Sequence, residues 1–174
     1  VRTVHRLDAA VAGVMVLARS RMAAELLSEQ VRARTFEKEY LAVLSGIPDA
    51  PEGTLRDLLF YDRASRTARV MPTPGPDVKE AVLDYRVLGT ADGCALVHIR
   101  LHTGRTHQIR VQFASRGLPL LGDRKYGAEE APFPIALWSY RLRFSHPQTG
   151  LPVEFSRLPP DEVPWSAFRS CSIE

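Results

Sequence analysis

Apolar residues recur along the chain with two different periods, which separate predicted helices from predicted strands. Over residues 21–33 the apolar positions have helical spacing, and the hydroxyl of Ser20 can cap the first turn. The segment 37–46, EKEYLAVLSG, alternates and then becomes apolar before it ends at a glycine, which is typical of a largely buried strand. A second strand is predicted near residues 66–71.

Two further alternating segments, residues 81–88 and 94–102, flank the sequence TADG. An Asp-Gly pair between alternating segments is a strong signal for a β-hairpin. In the second segment Val97, Ile99 and Leu101 are predicted to face the core, because alternate strand residues share a face. The polar residues predicted to face the other way are His98, Arg100 and His102.

The stretch 103–110, TGRTHQIR, carries six hydrogen-bonding side chains where a predicted strand gives way to a predicted helix. Ile109 and Phe113 have helical spacing, so a short helix is predicted over about 106–116, with Thr106 as a candidate cap. Backbone amides at the start of a helix are unpaired and point outward. Such a junction is therefore a common place for a binding site.

Strands that outnumber the helices predict an α+β fold. The length of 174 residues fits one domain, residues 1–174, and the Pro/Gly-rich stretch 72–77 is short enough for a loop. A hydrophobic content of 45% and a charged content of 25% are ordinary for soluble proteins, and no apolar run reaches the ~20 residues of a membrane span. The balance of 23 basic against 20 acidic residues permits a nucleic-acid partner without requiring one.

The two cysteines, Cys94 and Cys171, lie far apart in the sequence. We therefore expect free thiols in a reducing compartment, and the cytoplasm as the location. Val1 already has the character of a strand and leads within four residues into a motif. We expect that natural N-terminal strands are missing from this domain.

The first motif, VHRLDAAVAG (4–13), places Arg6 and Asp8 two residues apart, so both would project from one face of an extended segment. A carboxylate beside a guanidinium stays ionised because the opposite charge favours the charged form. Such an Asp can act as a nucleophile or a general base. An ordinary surface ion pair is the alternative interpretation.

Three histidines, His98, His102 and His107, suggest a metal site that the geometry disfavours. Four strand residues span roughly 13 Å, so the first two cannot share one ion, and no Cys or carboxylate cluster completes a ligand set. No second carboxylate of a glycoside hydrolase is identifiable from spacing. The sequence also contains neither a Gly-rich phosphate loop nor a nucleophile elbow.

Three separated blocks agree with one family pattern: HRLD (5–8) followed by Gly13, FEKEYLAVLSG (36–46), and LHTGRTHQIRVQFASRGLPLLGDRKYG (101–127). Together they closely resemble the RluA-type branch of the RluA/RsuA pseudouridine synthases. The segment 136–150 is similar to the family's closing strand, so the resemblance covers nearly the whole chain. It implies a mixed, mainly antiparallel bent sheet with flanking helices, a central cleft for a flipped-out uridine, and no cofactor or metal.

The resemblance also implies roles for individual residues. The catalytic Asp of the family corresponds to Asp8, and its stacking Tyr corresponds to Tyr40, two residues after Lys38. The basic partner of the Asp corresponds to Arg110, with Arg105 as the alternative. Tyr40 would offer an aromatic face to the base, and its hydroxyl, with an ordinary pKa near ~10, could relay a proton. A strand residue packed in the core is the alternative interpretation of Tyr40.

Four polar residues are candidates for contacts with RNA and with the pocket, because Arg forks and amides suit phosphates and base edges. They are Arg6, Arg105, His107 and Gln108. The later GDxxYG turn (122–127) is interpreted as structural.

The chain departs from the family pattern at several positions. Val11 and Ala12 stand where the family usually has a Thr-Ser pair, Gln112 stands where it has a His, and Trp138-Ser139 replaces its usual His-Ala. Neither the strands that usually precede HRLD nor the S4 RNA-binding domain of many members is visible in the sequence. These departures leave Asp8 and its implied partners in place and put substrate choice in question.

The predicted function is that of an RNA pseudouridine synthase, an isomerase that converts one uridine of a structured RNA. Ribosomal RNA is favoured over transfer RNA, and a monomer without membrane or metal partners is expected. The alternative is a catalytically impaired RNA-binding module of the same fold. A glycoside hydrolase is a third possibility and would release a free base or sugar.

Overall fold

One eight-stranded sheet organises the computed structural model, which describes residues 1–173. The strands are β1 (Arg2–Thr3), β2 (Ala12–Gly13), β3 (Leu17–Ala18), β4 (Glu37–Leu44), β5 (Glu52–Asp62), β6 (Thr67–Met71), β7 (Val78–Ala91), β8 (Cys94–Leu101), β9 (Leu137–Ser145) and β10 (Pro152–Ser156). The helices are α1 (Arg21–Arg32) and α2 (Gln108–Ala114), with 3-10 turns at Arg124–Tyr126 and Trp165–Phe168.

The strand order is β10-β9-β4-β8-β7-β5-β6. All these neighbours are antiparallel, whereas β2 pairs with β9 in parallel, and β1 and β3 form a separate antiparallel pair. The α+β class and the mixed, mainly antiparallel sheet are thus confirmed. Within the described part of the chain, no helix is long and apolar enough to cross a membrane.

The sequence patterns located most of these elements. α1 begins after Ser20, whose hydroxyl accepts from the amide of Ala23 at 3.1 Å, as the capping pattern predicts. The hairpin of β7 and β8 turns at Asp92 and Gly93, whose φ angles of 50° and 75° suit the tight turn predicted for an Asp-Gly pair. The long strand β5 was not predicted, because charged residues interrupt its alternation.

The two faces of the sheet are covered by different parts of the chain. On one face, Tyr40 and Leu44 pack in a cluster with Ile109 and Phe113 of α2. On the other face, the alternate β4 residues Leu41 and Val43 pack under the C-terminal segment, which contributes its buried residue Phe168. The helix with the polar TGRTHQIR junction therefore lies over one face only, the face that carries Tyr40.

A buried ionic cluster ties three strands together on the opposite face. Glu39, with 5% of its side chain exposed, accepts hydrogen bonds from His98 Nε2 at 2.7 Å and from Arg141 Nε and Nη2 at 2.9 and 2.6 Å. Burial alone would raise the pKa of Glu39, but the bonds from His98 and Arg141 lower it from 4.5 to about 2. His98 is therefore engaged in structure rather than in the cleft.

We expect the Glu39→Gln variant to lose about 3 kcal/mol of unfolding free energy at pH 7, because it removes a paired buried charge. The folded-state pKa of Glu39 lies below its ordinary value of 4.5, so its contribution is complete above pH 4.5 and declines as the pH falls toward about 2. Denaturant unfolding at pH values from 7 to 3 measures both proteins. A difference that stays constant down to pH 3 would contradict this assignment.

Candidate active site

Gly13 fixes the segment that carries Asp8 against the sheet. Its φ of 125° favours glycine, and a Cβ there would lie only 2.2 Å from the carbonyl oxygen of Ser139. The next residue, Val14, is hydrogen-bonded to Ser139 twice. Its amide donates to the same carbonyl oxygen at 2.8 Å, and its own carbonyl oxygen accepts from the Ser139 hydroxyl at 2.8 Å. The glycine of the first sequence block is thus required by close approach of two backbones.

Thr103 and Gln108 hold the loop between β8 and α2. Gln108 Oε1 accepts from the Thr103 hydroxyl at 2.8 Å and from the amide of Arg105 at 3.0 Å, and Gln108 Nε2 donates to Val82 O at 3.1 Å. Only 3% of Gln108 is exposed. Both amide atoms therefore serve the loop, while Gln108 also lines the cleft that contains Asp8. A contact between Gln108 and RNA stays a prediction.

The helix that follows is shorter than predicted and is capped differently. α2 begins at Gln108, and its N-cap is His107, in a left-handed conformation with φ 55° and without a side-chain cap. Thr106 is exposed and is not the cap, so that prediction is wrong. A left-handed residue other than glycine is uncommon and often marks a functional site.

The left-handed turn places the His107 ring in the cleft. Its Nε2 lies 3.9 Å from Asp8 Oδ2, and a hydrogen bond of 2.7 Å joins its Nδ1 to the hydroxyl of Tyr126. That hydroxyl also accepts from the amide of Ala68 at 2.7 Å. Burial lowers the pKa of His107, although the charge of Asp8 acts in the opposite direction. His107 thus faces Asp8 as a fixed, half-buried imidazole.

Arg110 contacts two carboxylates at once. Its Nη1 lies 3.3 Å from Asp8 Oδ2, while its Nε and Nη2 each donate to Asp123 at 2.8 Å. Arg105, the alternative partner, instead donates from Nε to the backbone oxygen of Glu80 at 2.9 Å. Of the two arginines, Arg110 is the one that the structure brings to Asp8.

Asp123 is the site residue that the sequence interpretation missed. It has 1% of its side chain exposed and lies in the GDxxYG turn, which had been interpreted as structural only. Its bidentate contact fixes the guanidinium plane of Arg110, and the Tyr126 ring of the same turn lies 5.1 Å from the Arg110 Cζ. The turn therefore orients the cation that faces Asp8.

The surroundings of Arg110 favour its charged form. Burial alone would lower the pKa of Arg110, but its hydrogen bonds to Asp123 and the charges of Asp123 and Asp8 raise it. Asp8 remains the more open member, with 26% of its side chain exposed against 10% for Arg110. The arrangement is a fixed cation beside an accessible carboxylate, which suits a nucleophile or a base.

Tyr40 lines the same cleft from β4 and is also part of the core, with 7% of its surface exposed. The interpretation of Tyr40 as a residue of the cleft and its interpretation as a core residue of the strand are therefore both compatible with the structure. Burial, reinforced by the charge of Asp8, raises the pKa of Tyr40 to about 12, although a hydrogen bond with Ser139 opposes the change. The expectation of an ordinary pKa is wrong, and the phenol keeps its proton at neutral pH.

Arg6 is exposed at the mouth of this cleft. No ion pair joins it to Asp8 among residues 1–173, where the partners of that carboxylate are Arg110 and His107, so the surface-pair interpretation is wrong.

A much larger cavity of about 1010 Å³ lies on the opposite face and contains none of the predicted site residues. The chemistry of the lining, rather than its size, identifies the cleft of about 90 Å³ around Asp8 as the candidate active site.

The three histidines occupy three separate environments. His98 pairs with Glu39, His102 Nε2 lies 2.6 Å from Asp84 Oδ2, and His107 faces Asp8. In the part of the chain that the structure describes, no group of three or more His, Cys, Asp or Glu residues is arranged to hold a metal ion.

The departures from the family pattern lie mostly outside the cleft. Gln112 is fully buried and donates to Asp57 Oδ2 at 2.7 Å, and Trp138 Nε1 donates to Arg157 O at 2.7 Å. Val11 lines the cleft beside Asp8. Neither Arg110 nor His107, whose side chains face the Asp8 carboxylate, is among the departures.

Comparison with known proteins agrees with this geometry. A family model described as RNA pseudouridylate synthase matches residues 1–115. The uncharacterized RNA pseudouridine synthase YlyB of Bacillus subtilis is 36% identical over 162 residues, which cover 92% of this chain and 52% of the relative. The ribosomal large subunit pseudouridine synthase D of Haemophilus influenzae is 35% identical over 176 residues, covering 92% of this chain and 53% of the relative.

A solved structure, human RNA pseudouridylate synthase domain containing 1, superimposes with a TM-score of 0.81 at 28% identity, covering 94% of this chain and 70% of that one. The chain spans about half the length of the curated relatives that it matches. The family model alone covers well over half of the 174 residues. The chain belongs to the RNA pseudouridylate synthase family, of the RluA/RsuA type.

Proposed function

We propose that this chain is the catalytic domain of an RNA pseudouridine synthase that isomerises a specific uridine in a structured RNA, with Asp8 as the catalytic residue. The observation that carries the proposal is the contact of 3.3 Å between Asp8 and Arg110 in a cleft that Tyr40 also lines. Membership of the family supports it.

The reaction requires no second substrate. The bond between N1 of uracil and C1′ of ribose breaks, the base turns, and C5 bonds to C1′. The hydrogen on C5 leaves as a proton and N1 gains one, so nothing is oxidised or reduced. Asp8 is suited to attack C1′ as a nucleophile or to begin the reaction as a base, and both routes are compatible with its surroundings.

The neighbours of Asp8 divide the remaining tasks. Arg110 orients the carboxylate of Asp8, while the bidentate contact with Asp123 fixes the guanidinium of Arg110. Tyr40 offers its ring to the extracted base and its retained proton as a hydrogen-bond donor. Arg105 and His107 line the same cleft and are the candidates for contacts with the bound RNA.

Ribosomal RNA is the first candidate substrate, because one relative is named as a ribosomal large subunit enzyme, and transfer RNA is the second. We further propose that the domain acts as a monomer in the cytoplasm.

Mapping pseudouridines in cellular RNA with and without the gene tests the function, with the gene restored as wild type or as Asp8→Asn. We expect one or a few uridines to lose modification without the gene and to regain it only with wild type. Unchanged maps in all strains would contradict the proposal.

The Arg6→Ala variant should bind RNA more weakly and with a smaller salt dependence. Arg6 is exposed at the cleft mouth and has no carboxylate partner within residues 1–173, so its charge is available to a phosphate. Losing one phosphate contact should reduce the slope of log K against log salt by about 1. Arg169→Ala removes an exposed arginine from the opposite face and serves as the control. Equal slopes for the two variants would count against a phosphate contact at Arg6.

A further inference from the structure

Lys38 is a half-buried cation that the mechanism above does not use. Alternate residues of a strand share a face, so Lys38 projects from the same face of β4 as Tyr40, two residues and about 7 Å away. Its side chain lines the cleft that contains Asp8 and also an adjoining recess of about 450 Å³. Lys38 is therefore placed at the junction between the candidate active site and a second cavity.

No negative group of the described chain neutralises this lysine. Glu39 projects from the other face of β4. Glu37 lines the recess, but its carboxylate pairs with two arginines, at 3.4 and 3.8 Å, rather than with Lys38. Burial, together with the charge of Lys38, lowers the pKa of His5 to about 4, so that ring is neutral. Burial also lowers the pKa of Lys38. The ammonium is half-buried and has no ion pair or hydrogen bond within residues 1–173, so its charge is available to an anion that enters the recess.

The recess beside Lys38 is basic. Arg34 and Arg105 line it, and neither forms an ion pair with a carboxylate of the described chain. Gly104 provides the space above the ammonium, because a Cβ at this position would lie 3.2 Å from Lys38 Nζ. A larger residue at 104 would press on the lysine and narrow the passage between recess and cleft.

We propose that this recess, defined by Lys38, Arg34, Gly104 and Arg105, binds a phosphodiester of the RNA strand next to the target uridine. The ligand chemistry is a phosphate, since Lys38, Arg34 and Arg105 line the recess without an ion pair among residues 1–173. The carboxylate of Glu37, which also lines the recess, is paired with other arginines. The phosphate adjoins the uridine because Lys38 reaches both cavities and stands one alternate strand position from Tyr40. This inference rests on the proposed function and adds a binding site to it.

Two small probes test the site without RNA turnover: uridine, and uridine 3′,5′-bisphosphate, which carries a phosphate on either side of the nucleoside. Binding is followed by nuclear magnetic resonance titration of wild type, Lys38→Gln, Lys38→Arg and the control Arg169→Gln. We expect the bisphosphate to bind wild type and the control about 10-fold more tightly than uridine, as one charge-assisted contact allows. The preference should vanish in Lys38→Gln and survive in part in Lys38→Arg.

A kinetic measurement separates this inference from the proposed function. With substrate RNA, Lys38→Gln should raise KM about 10-fold and leave kcat within about threefold, since it removes a contact with the RNA backbone that is made equally before and during the reaction. A Lys38→Gln protein that keeps the preference for the bisphosphate would overturn the phosphate site even if wild type is active. Wild type that forms no pseudouridine, but prefers the bisphosphate through Lys38, would overturn the proposed function alone.

Discussion

Replacing Arg110 by methionine is expected to abolish measurable turnover, a loss of at least about 10²-fold, and to lower the free energy of unfolding by about 3–5 kcal/mol. The loss of turnover follows from the contact of 3.3 Å that holds Asp8. The loss of stability follows from Asp123, which would be left 1% exposed without its bidentate partner. Single-turnover assays and denaturant unfolding measure the two effects separately.

A double variant distinguishes these two consequences. Arg110→Met with Asp123→Asn removes the stranded negative charge, so it should recover much of the lost stability while remaining inactive. RNA affinity should change little in either variant, because Arg110 is directed toward the two carboxylates. Weaker RNA binding by Arg110→Met at an unchanged single-turnover rate would overturn the role assigned to Arg110, and so would turnover restored in the double variant.

The Asp8→Asn variant should lose at least about 10⁴-fold in turnover, because an amide is neither a nucleophile nor a base. Unlike Arg110→Met, it should stay within about 1 kcal/mol of wild-type stability, since Asp8 is a partly open member of its ion pair, with 26% of its side chain exposed. RNA binding should remain within about threefold of wild type. Substantial unfolding of Asp8→Asn would indicate that the carboxylate serves the fold rather than the reaction.

The sequence predicted those features of the fold that depend on local periodicity. The alternation of residues 94–102 identified the faces of β8, and the Asp-Gly pair identified the hairpin turn. Thr106 was a reasonable cap by composition, but the cap is decided by the left-handed backbone of His107, which side-chain preference does not reveal. Such conformations are imposed by tertiary packing.

Contacts between distant residues were harder to predict. Arg110 and Asp123 stand 13 residues apart, and only the fold of the intervening loop brings them to 2.8 Å, so their spacing carries no signal. The family resemblance identified Asp8 and Arg110 but not the carboxylate behind the arginine. Lys38 was visible as a neighbour of Tyr40 in the sequence, but the absence of an acidic partner within residues 1–173 depends on how distant segments pack.

The release of tritium from RNA labelled at C5 of uridine tests the central claim most directly, because forming the bond between C5 and C1′ expels that hydrogen. The substrate is total RNA labelled in cells that lack the gene, and the proteins are wild type and Asp8→Asn. We predict that wild type releases tritium without any free base or sugar, and that Asp8→Asn binds the RNA and releases none. Binding by both proteins without release of tritium, or the appearance of free uracil, would contradict the claim that this cleft isomerises uridine through Asp8.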